Sequence, residues 1–364
     1  MKMTKIHEVA NLGQSIWLDY MSRSLIVSGE LKNLVDKGLR GVTSNPSIFE
    51  KAIDSSSDYD EDIKKLASKS VDEIYESLII EDISKAADVL RSVYDTSKGL
   101  DGYVSLEVSP KLAYDTDGTI ADARRLFKAL NRPNIFIKVP ATKEGAPAIE
   151  TLISEGININ VTLIFSMSHY EAIAEAYIAG LEKLSAKGGD INKAVSVASF
   201  FVSRIDTVVD QALKDKKELQ GKTAIACAKM IYARFCEIFN DERWKRLSAK
   251  GARVQRPLWG STGAKNPNYP DTLYIDSLIG SDTVNTIPMN TLNAFLDHGV
   301  VASTLESSLN DAKILLKSLP NLSIDLDVIT EQLQIKGVDS FAESFDTLMA
   351  SIAKKKESFL ETGK

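Results

Sequence analysis

The sequence predicts an α/β fold, a (β/α)8 TIM barrel followed by additional C-terminal helices. Three observations carry this expectation. Short apolar runs of strand character alternate with helical patterns along most of the 364 residues, the signature of a parallel sheet with crossover helices. Roughly eight strand–helix units at this density suit a closed barrel better than an open sheet. No Gly-x-Gly-x-x-Gly follows any of the strands, which weighs against a doubly wound dinucleotide-binding sheet. Length alone suggests about two domains, but barrels routinely absorb that much chain. The expected organisation is one domain over 1–364, with residues from about 300 to 364 as a docked helical extension.

In chain order, strands are expected at 16–20, 41–45, 103–108, 134–139, 157–165, 194–202, 254–260 and 284–288. A helix over 71–94 opens with the capping box Ser70-Val71-Asp72-Glu73 and turns Ile74, Leu78, Leu90 and Val93 inward. Another helix covers 117–130, and a third follows Ser166 through Leu184. Beyond Gly299 the pattern is helical only. Ser303-Thr304-Leu305-Glu306 reads as a capping box opening a helix to about Leu319, stopped by Pro320. A last helix carries Phe341, Phe345, Leu348 and Ile352 at spacings of three and four, so one face packs on the barrel.

Composition narrows the function classes. Hydrophobic content of 44% and charged content of 26% are those of a soluble globular protein. A net charge of −6 argues against a nucleic-acid or anionic-membrane surface. No apolar run approaches a membrane-spanning length. Residues 1–11 lack the apolar core of a signal peptide and the Arg-rich character of a transit peptide. Only Cys227 and Cys236 occur, on one expected helix, so neither a disulfide framework nor a zinc cluster is indicated and a reducing cytoplasm fits best. His7, His169 and His298 lack metal-ligand spacing, so no metal is expected. The segment Gly260-Ser261-Thr262-Gly263-Ala264-Lys265 lacks the spacing of a nucleoside-triphosphate loop.

The strand Asn134-Ile135-Phe136-Ile137-Lys138-Val139-Pro140 sets a lysine among apolar residues. Lysine is almost never fully buried without compensation. Burial favours the neutral amine, which beside a carbonyl is a Schiff-base nucleophile. A structural lysine snorkelling from the strand end fits this segment alone equally well.

Strand parity adds companions to it. Thr43 and Asn45 share a face; so do Ser105 and Glu107, Trp17 and Asp19, and Phe136 and Lys138. Asn158, Asn160 and Thr162 oppose Ile159, Val161 and Leu163, while Val195, Val197, Ser199 and Phe201 share a face. The outside of a parallel barrel lies under helices and must be apolar, so the polar parity faces inward. It gathers near strand C-terminal ends, where barrel enzymes place their sites.

Four segments resemble transaldolases: Val42-Thr43-Ser44-Asn45-Pro46-Ser47, Ile137-Lys138-Val139-Pro140-Ala141-Thr142, Asn160-Val161-Thr162-Leu163-Ile164-Phe165-Ser166 and Ser199-Phe200-Phe201-Val202-Ser203-Arg204. Arg256-Pro257-Leu258-Trp259-Gly260-Ser261-Thr262-Gly263-Ala264-Lys265-Asn266-Pro267 is similar to the longer bacterial-type subfamily. The resemblance implies a class I, cofactor-free Schiff-base enzyme of the non-oxidative pentose phosphate pathway. Such an enzyme moves a dihydroxyacetone unit from sedoheptulose 7-phosphate or fructose 6-phosphate to glyceraldehyde 3-phosphate or erythrose 4-phosphate. By the same resemblance Lys138 matches the lysine that attacks the C2 carbonyl. Asp19 matches the carboxylate that takes the C4 hydroxyl proton. Glu107 with Thr162 matches the pair that positions a water during imine formation and release. Asn45 and Asn160 match amides that hold the three-carbon unit, with Thr43, Ser199 and Phe201 lining the pocket. Arg204 matches a phosphate-binding arginine, with Ser261 beside it.

One departure is visible. Shorter transaldolases carry an arginine soon after the serine matched by Ser261, whereas here Thr262-Gly263 stands there and Lys265 follows two residues on. Lys265 is therefore expected to supply the second positive charge, as a point charge rather than a bidentate fork. The rival readings are a fructose 6-phosphate aldolase and a barrel that only binds sugar phosphates. Resembling small aldolases carry a tyrosine in the water-positioning arrangement, so Glu107 with Phe201 favours the transferase. The expected partners are small-molecule sugar phosphates and at most a second copy of the chain as a homodimer, with neither nucleic acid nor membrane.

Overall fold

The computed structural model describes residues 3–362, so the outermost two residues at each end of the domain expected over 1–364 lie outside the described residues. Eight strands close a parallel barrel in sequential order: β1 (Gln14–Asp19), β2 (Gly41–Thr43), β3 (Tyr103–Glu107), β4 (Ile135–Pro140), β5 (Ile159–Ile164), β6 (Ser196–Phe201), β7 (Arg256–Gly260) and β8 (Thr283–Ile287). Each strand alternates side chains between the barrel interior and the helical shell. The outward set is apolar, with Ile16, Leu18, Val42, Val104, Leu106, Ile137, Val139, Ile159 and Val161 all buried. The expected (β/α)8 barrel is thus the observed fold.

The inward set is layered. Toward the strand N-termini Trp17, Tyr103, Phe136, Val195, Val197, Leu258 and Val284 form an interior apolar cluster separate from the main core. Gly41 faces Trp17 in the β1–β2 register, and a Cβ there would lie 2.5 Å from the indole ring. Only the absence of a side chain lets the ring fill the barrel. Below this layer Arg256 pairs with Asp101 at 3.1 Å and donates to the Ser15 hydroxyl at 2.7 Å and the Thr283 carbonyl at 2.6 Å. The floor is therefore closed by a buried ion pair whose charges are matched. Polar residues occupy the opposite end.

Several expected boundaries move by one or two residues, and two moves have clear causes. β2 ends at Thr43, short of the expected 45, because Pro46 lacks an N–H and begins the helix Pro46–Asp54. Asn45 is the N-cap of that helix, its side-chain oxygen accepting from the Ile48 N–H at 3.0 Å. β5 covers Ile159–Ile164 rather than 157–165, and its register with β6 shifts between Val161 and Ile164. Leu163 takes a left-handed φ of 60° at that irregularity. The capping box at Ser70 and Glu73 is present, opening the helix Val71–Thr96.

The tail requires one correction. The segment from Ser303 does not open a helix; the helix begins at Leu309 and ends at Ser318. Tertiary contacts outbid the local capping pattern. The Thr304 and Leu305 N–H groups both donate to the Ile279 carbonyl at 3.0 Å, and Lys229 donates to the carbonyls of Thr304 and Ser307 at 2.8 and 2.6 Å. Leu305 itself is fully buried. After a short 3-10 turn over Leu319–Leu322, one long helix, Leu326–Thr362, packs across the barrel mouth. Phe341, Phe345, Leu348 and Ile352 are all buried, as their spacing requires.

Candidate active site

Backbone register assembles the site before any side chain is considered. Asp19 pairs with Thr43 across β1–β2, Glu107 with Lys138 across β3–β4, and Lys138 with Asn160 across β4–β5. Side chains at paired positions point to the same side of the sheet. Eleven of the twelve site residues expected from sequence line one cavity of about 200 Å³ at the strand C-terminal ends: Asp19, Thr43, Asn45, Lys138, Asn160, Thr162, Ser199, Phe201, Arg204, Ser261 and Lys265. The twelfth, Glu107, meets Lys138 at 3.2 Å and does not line the cavity itself.

Lys138 is 4% exposed, which disposes of the snorkelling alternative. Its ammonium donates to the Ser44 carbonyl at 3.0 Å and stands 3.2 Å from Glu107 Oε2. Burial pushes the Glu107 carboxyl above its usual range, opposed by the Lys138 charge. Asp19 is likewise pushed up by burial and pulled back by Lys138, by the Thr43 hydrogen bond, and by the charges of Lys265 and Arg204. Two carboxylates thus interact with one buried lysine, both raised by burial and both opposed by its charge.

The remaining groups are held by short networks. Thr43 donates to Asp19 Oδ1 at 2.8 Å, and its hydroxyl meets that of Thr286 at 2.7 Å. The Asn160 amide is fixed from both sides: its nitrogen donates to Ser105 Oγ at 3.0 Å, and its oxygen accepts from Ser199 Oγ at 2.6 Å. The Thr162 hydroxyl is buried and has no protein partner among the described residues, although an unpaired buried hydroxyl costs about 1–3 kcal/mol. It therefore stays available to a small polar ligand.

At the rim, the Ser261 hydroxyl meets that of Ser203 at 3.0 Å, and Ser261 has a left-handed φ of 54°. Thr262 is buried and donates to Asn285 Oδ1 at 3.0 Å and the Thr286 carbonyl at 3.1 Å. It is a strut beneath the loop and does not take the place of a missing cation. Lys265 is exposed and lines both this cavity and a neighbouring one of about 300 Å³ that contains Asp206 and Asp210. Arg204 is depressed below its usual range by burial.

Glu107 lines a second cleft of about 540 Å³ together with Tyr75, Ser109, Asp122, Arg125 and Phe345. The carboxylate thus sits between the lysine and a separate opening. Three contributors were not among the expected site residues. Thr286 belongs to the inward parity of β8 with Val284, a signal present in the sequence. The Ser44 carbonyl, as backbone, leaves none. Phe341 lines the sugar-sized cavity, yet its helical spacing announces only packing. Among the described residues no group of three or more His, Cys, Asp or Glu is placed to hold a metal ion.

A family profile described as Transaldolase/Fructose-6-phosphate aldolase matches residues 16–352. The chain is 50% identical over 366 residues to a protein named Transaldolase from Trichodesmium erythraeum, covering 96% of each. It is 47% identical over 374 residues to Transaldolase 2 of Nostoc punctiforme, covering 98% of each. Against a Transaldolase of Thiobacillus denitrificans identity is 46% over 360 residues, covering 97% of this chain and 100% of that protein.

Proposed function

This chain belongs to the transaldolase/fructose-6-phosphate aldolase family and is a transferase of the transaldolase type, and we propose that Lys138 carries its Schiff-base chemistry. The observation that supports this assignment is a 4% exposed lysine paired with Glu107 at 3.2 Å and sharing a cavity with Asp19. The Lys138 amine adds to the C2 carbonyl of a ketose phosphate, and loss of water leaves a protonated imine. Asp19 takes the C4 hydroxyl proton, the C3–C4 bond breaks, and its electron pair enters the imine as an enamine. The released aldose departs. Attack of the enamine on an acceptor aldehyde forms the new bond, and water then frees the product and restores the amine.

Glu107 and Thr162 manage that water. A carboxyl raised by burial holds a proton to higher pH than an ordinary one, which suits it to general acid–base work. The Thr162 hydroxyl, unpartnered by protein, supplies the second contact a held water needs. Asn45, Asn160, Thr43 and Ser199 hold the hydroxyls of the three-carbon unit, and elements fixed by mutual hydrogen bonds preserve it between half-reactions. Arg204, Ser261 and Lys265 receive the substrate phosphate from the loops after β6 and β7, a usual location for phosphates in such barrels.

The donor is sedoheptulose 7-phosphate or fructose 6-phosphate, and the acceptor glyceraldehyde 3-phosphate or erythrose 4-phosphate. A net charge of −6 suits small metabolites held in a local basic pocket better than nucleic acid. Two unpaired cysteines agree with a reducing cytoplasm, and no helix among the described residues is long and apolar enough to cross a membrane. A homodimer is part of the same reading, to be checked by light scattering. The decisive assay supplies fructose 6-phosphate with and without erythrose 4-phosphate. Turnover should require the acceptor; comparable release of free dihydroxyacetone without it would instead assign an aldolase, and no turnover a binding protein.

A further inference from the structure

We infer that Phe341, on the C-terminal helix, is a positioning residue for the substrate phosphate, acting through Arg204. The inference rests on the proposed phosphate role of Arg204. The Arg204 guanidinium lies 5.3 Å from the centroid of Phe201 and 5.8 Å from that of Phe341, so two aromatic rings contact one cation. Among the described residues it makes no ion pair or hydrogen bond to protein. A half-buried arginine normally spends its five donors on carboxylates or carbonyls. Here the ring faces attract the cation and leave those donors free for an incoming anion.

Phe341 reaches this place through three features of its helix. Gln334, two turns earlier, donates to the carbonyls of Ala141 and Leu163 at 2.9 and 3.0 Å, which ties the helix to the ends of β4 and β5. Gly337, one turn earlier, lets the helix approach closely: a Cβ there would stand 2.9 Å from Leu163 Cδ2 and 3.5 Å from Arg204 Nη1. Ser344 meets the Ser47 hydroxyl at 2.7 Å on the following turn. Phe341 is 3% exposed, and the Lys138 ammonium stands 5.9 Å from its ring centroid. One side chain from outside the barrel therefore touches the cations expected at both ends of the substrate. The Lys138 contact is more distant and is shared with Glu107, whereas Arg204, beyond the longer-range field of Asp19, has the two rings as its direct side-chain contacts.

The test compares phosphorylated and unphosphorylated donors in the full-length enzyme. Phe341→Leu keeps an apolar side chain and removes the ring. It should raise KM for fructose 6-phosphate roughly 2- to 30-fold, the range of a cation–aromatic contact, while kcat/KM for fructose falls by a clearly smaller factor. Phe341→Tyr retains the ring and should restore KM for fructose 6-phosphate. Equal losses on the two donors, or an unchanged KM with fructose 6-phosphate, would overturn the inference. If the leucine variant does not fold, Phe341→Met, which refills the space with an unbranched chain, takes its place under the same criteria. Arg204→Ala is measured in parallel. If it penalises both donors alike, the phosphate reading itself fails; if it is selective for the phosphorylated donor and Phe341→Leu is not, only the role of Phe341 fails.

Discussion

At the scale of single residues, the two carboxylates beside Lys138 differ in what holds them. Asp19 accepts from Thr43 and lies within the field of Arg204 and Lys265 as well as Lys138, whereas Glu107 is opposed by the Lys138 charge and raised further by that of Asp19. That difference supports a division of labour. Asp19→Asn should lower turnover by about 10²–10⁴-fold, the usual worth of general acid–base assistance, while still allowing a donor adduct to be trapped. Glu107→Gln should slow adduct formation itself. Single-turnover measurement of the two steps checks this; both variants forming and cleaving the adduct at wild-type rates would remove the assignment.

A second residue-scale prediction concerns stability and pH. Asp206 accepts from the Ala224 N–H at 2.8 Å and from Tyr274 Oη at 2.9 Å, and burial pushes its carboxyl up from the ordinary 3.8 to about 7. Because the folded value is the higher one, the native state binds more protons than the unfolded chain between these limits. Its contribution is fully present below about pH 4 and is lost as pH rises through about 7, on the order of 4 kcal/mol in total. Asp206→Asn, which cannot ionise, should gain Tm relative to wild type as pH is raised over that window. A constant difference in Tm would show that Asp206 does not titrate there.

The buried lysine, both carboxylates and the amides of the site were legible because strand parity and family-like motifs coincide at those positions. Phe341 was not. Its spacing with Phe345, Leu348 and Ile352 is what any packed helix shows, and nothing local reveals that one member meets a cavity instead of the core.

At the scale of elements, the C-terminal helix is fastened where β4 and β5 end. Gln334 supplies the fastening, its amide nitrogen reaching two carbonyls that strand pairing leaves over at the irregularity near Leu163. Gln334→Ala should cost about 1–3 kcal/mol, the penalty for unpaired buried polar groups. Denaturant unfolding measures it, and a change below about 0.5 kcal/mol, the ordinary range for a surface substitution, would show that the fastening is dispensable. Elements with strong internal patterns, such as Val71–Thr96, matched their sequence reading closely. The segment at Ser303 did not, because Lys229 and Ile279 lie far away in the chain and impose a loop that local capping chemistry cannot foresee. Asn45 was read as strand although Pro46 beside it already marks a helix start.

For the whole molecule, the barrel separates support from chemistry along its axis. Trp17, Tyr103 and Phe136 fill the N-terminal half, with Tyr103 and Phe136 ring centroids 4.3 Å apart, and the polar layer stands directly on this floor. Closure itself was foreseeable from eight alternating units, but the fit of Gly41 against Trp17 depends on register, which pairs residues that sequence alone leaves unpaired. Gly41→Ala should destabilise the fold by about 1–3 kcal/mol through overpacking.

The claim on which the rest depends is that this architecture delivers one buried lysine to a carbonyl. Incubation with fructose 6-phosphate followed by borohydride, digestion and mass spectrometry tests it directly. A reduced dihydroxyacetone adduct should appear on the peptide containing Lys138 and vanish in Lys138→Ala together with turnover. An adduct at exposed Lys143 instead, or activity surviving Lys138→Ala, would contradict it.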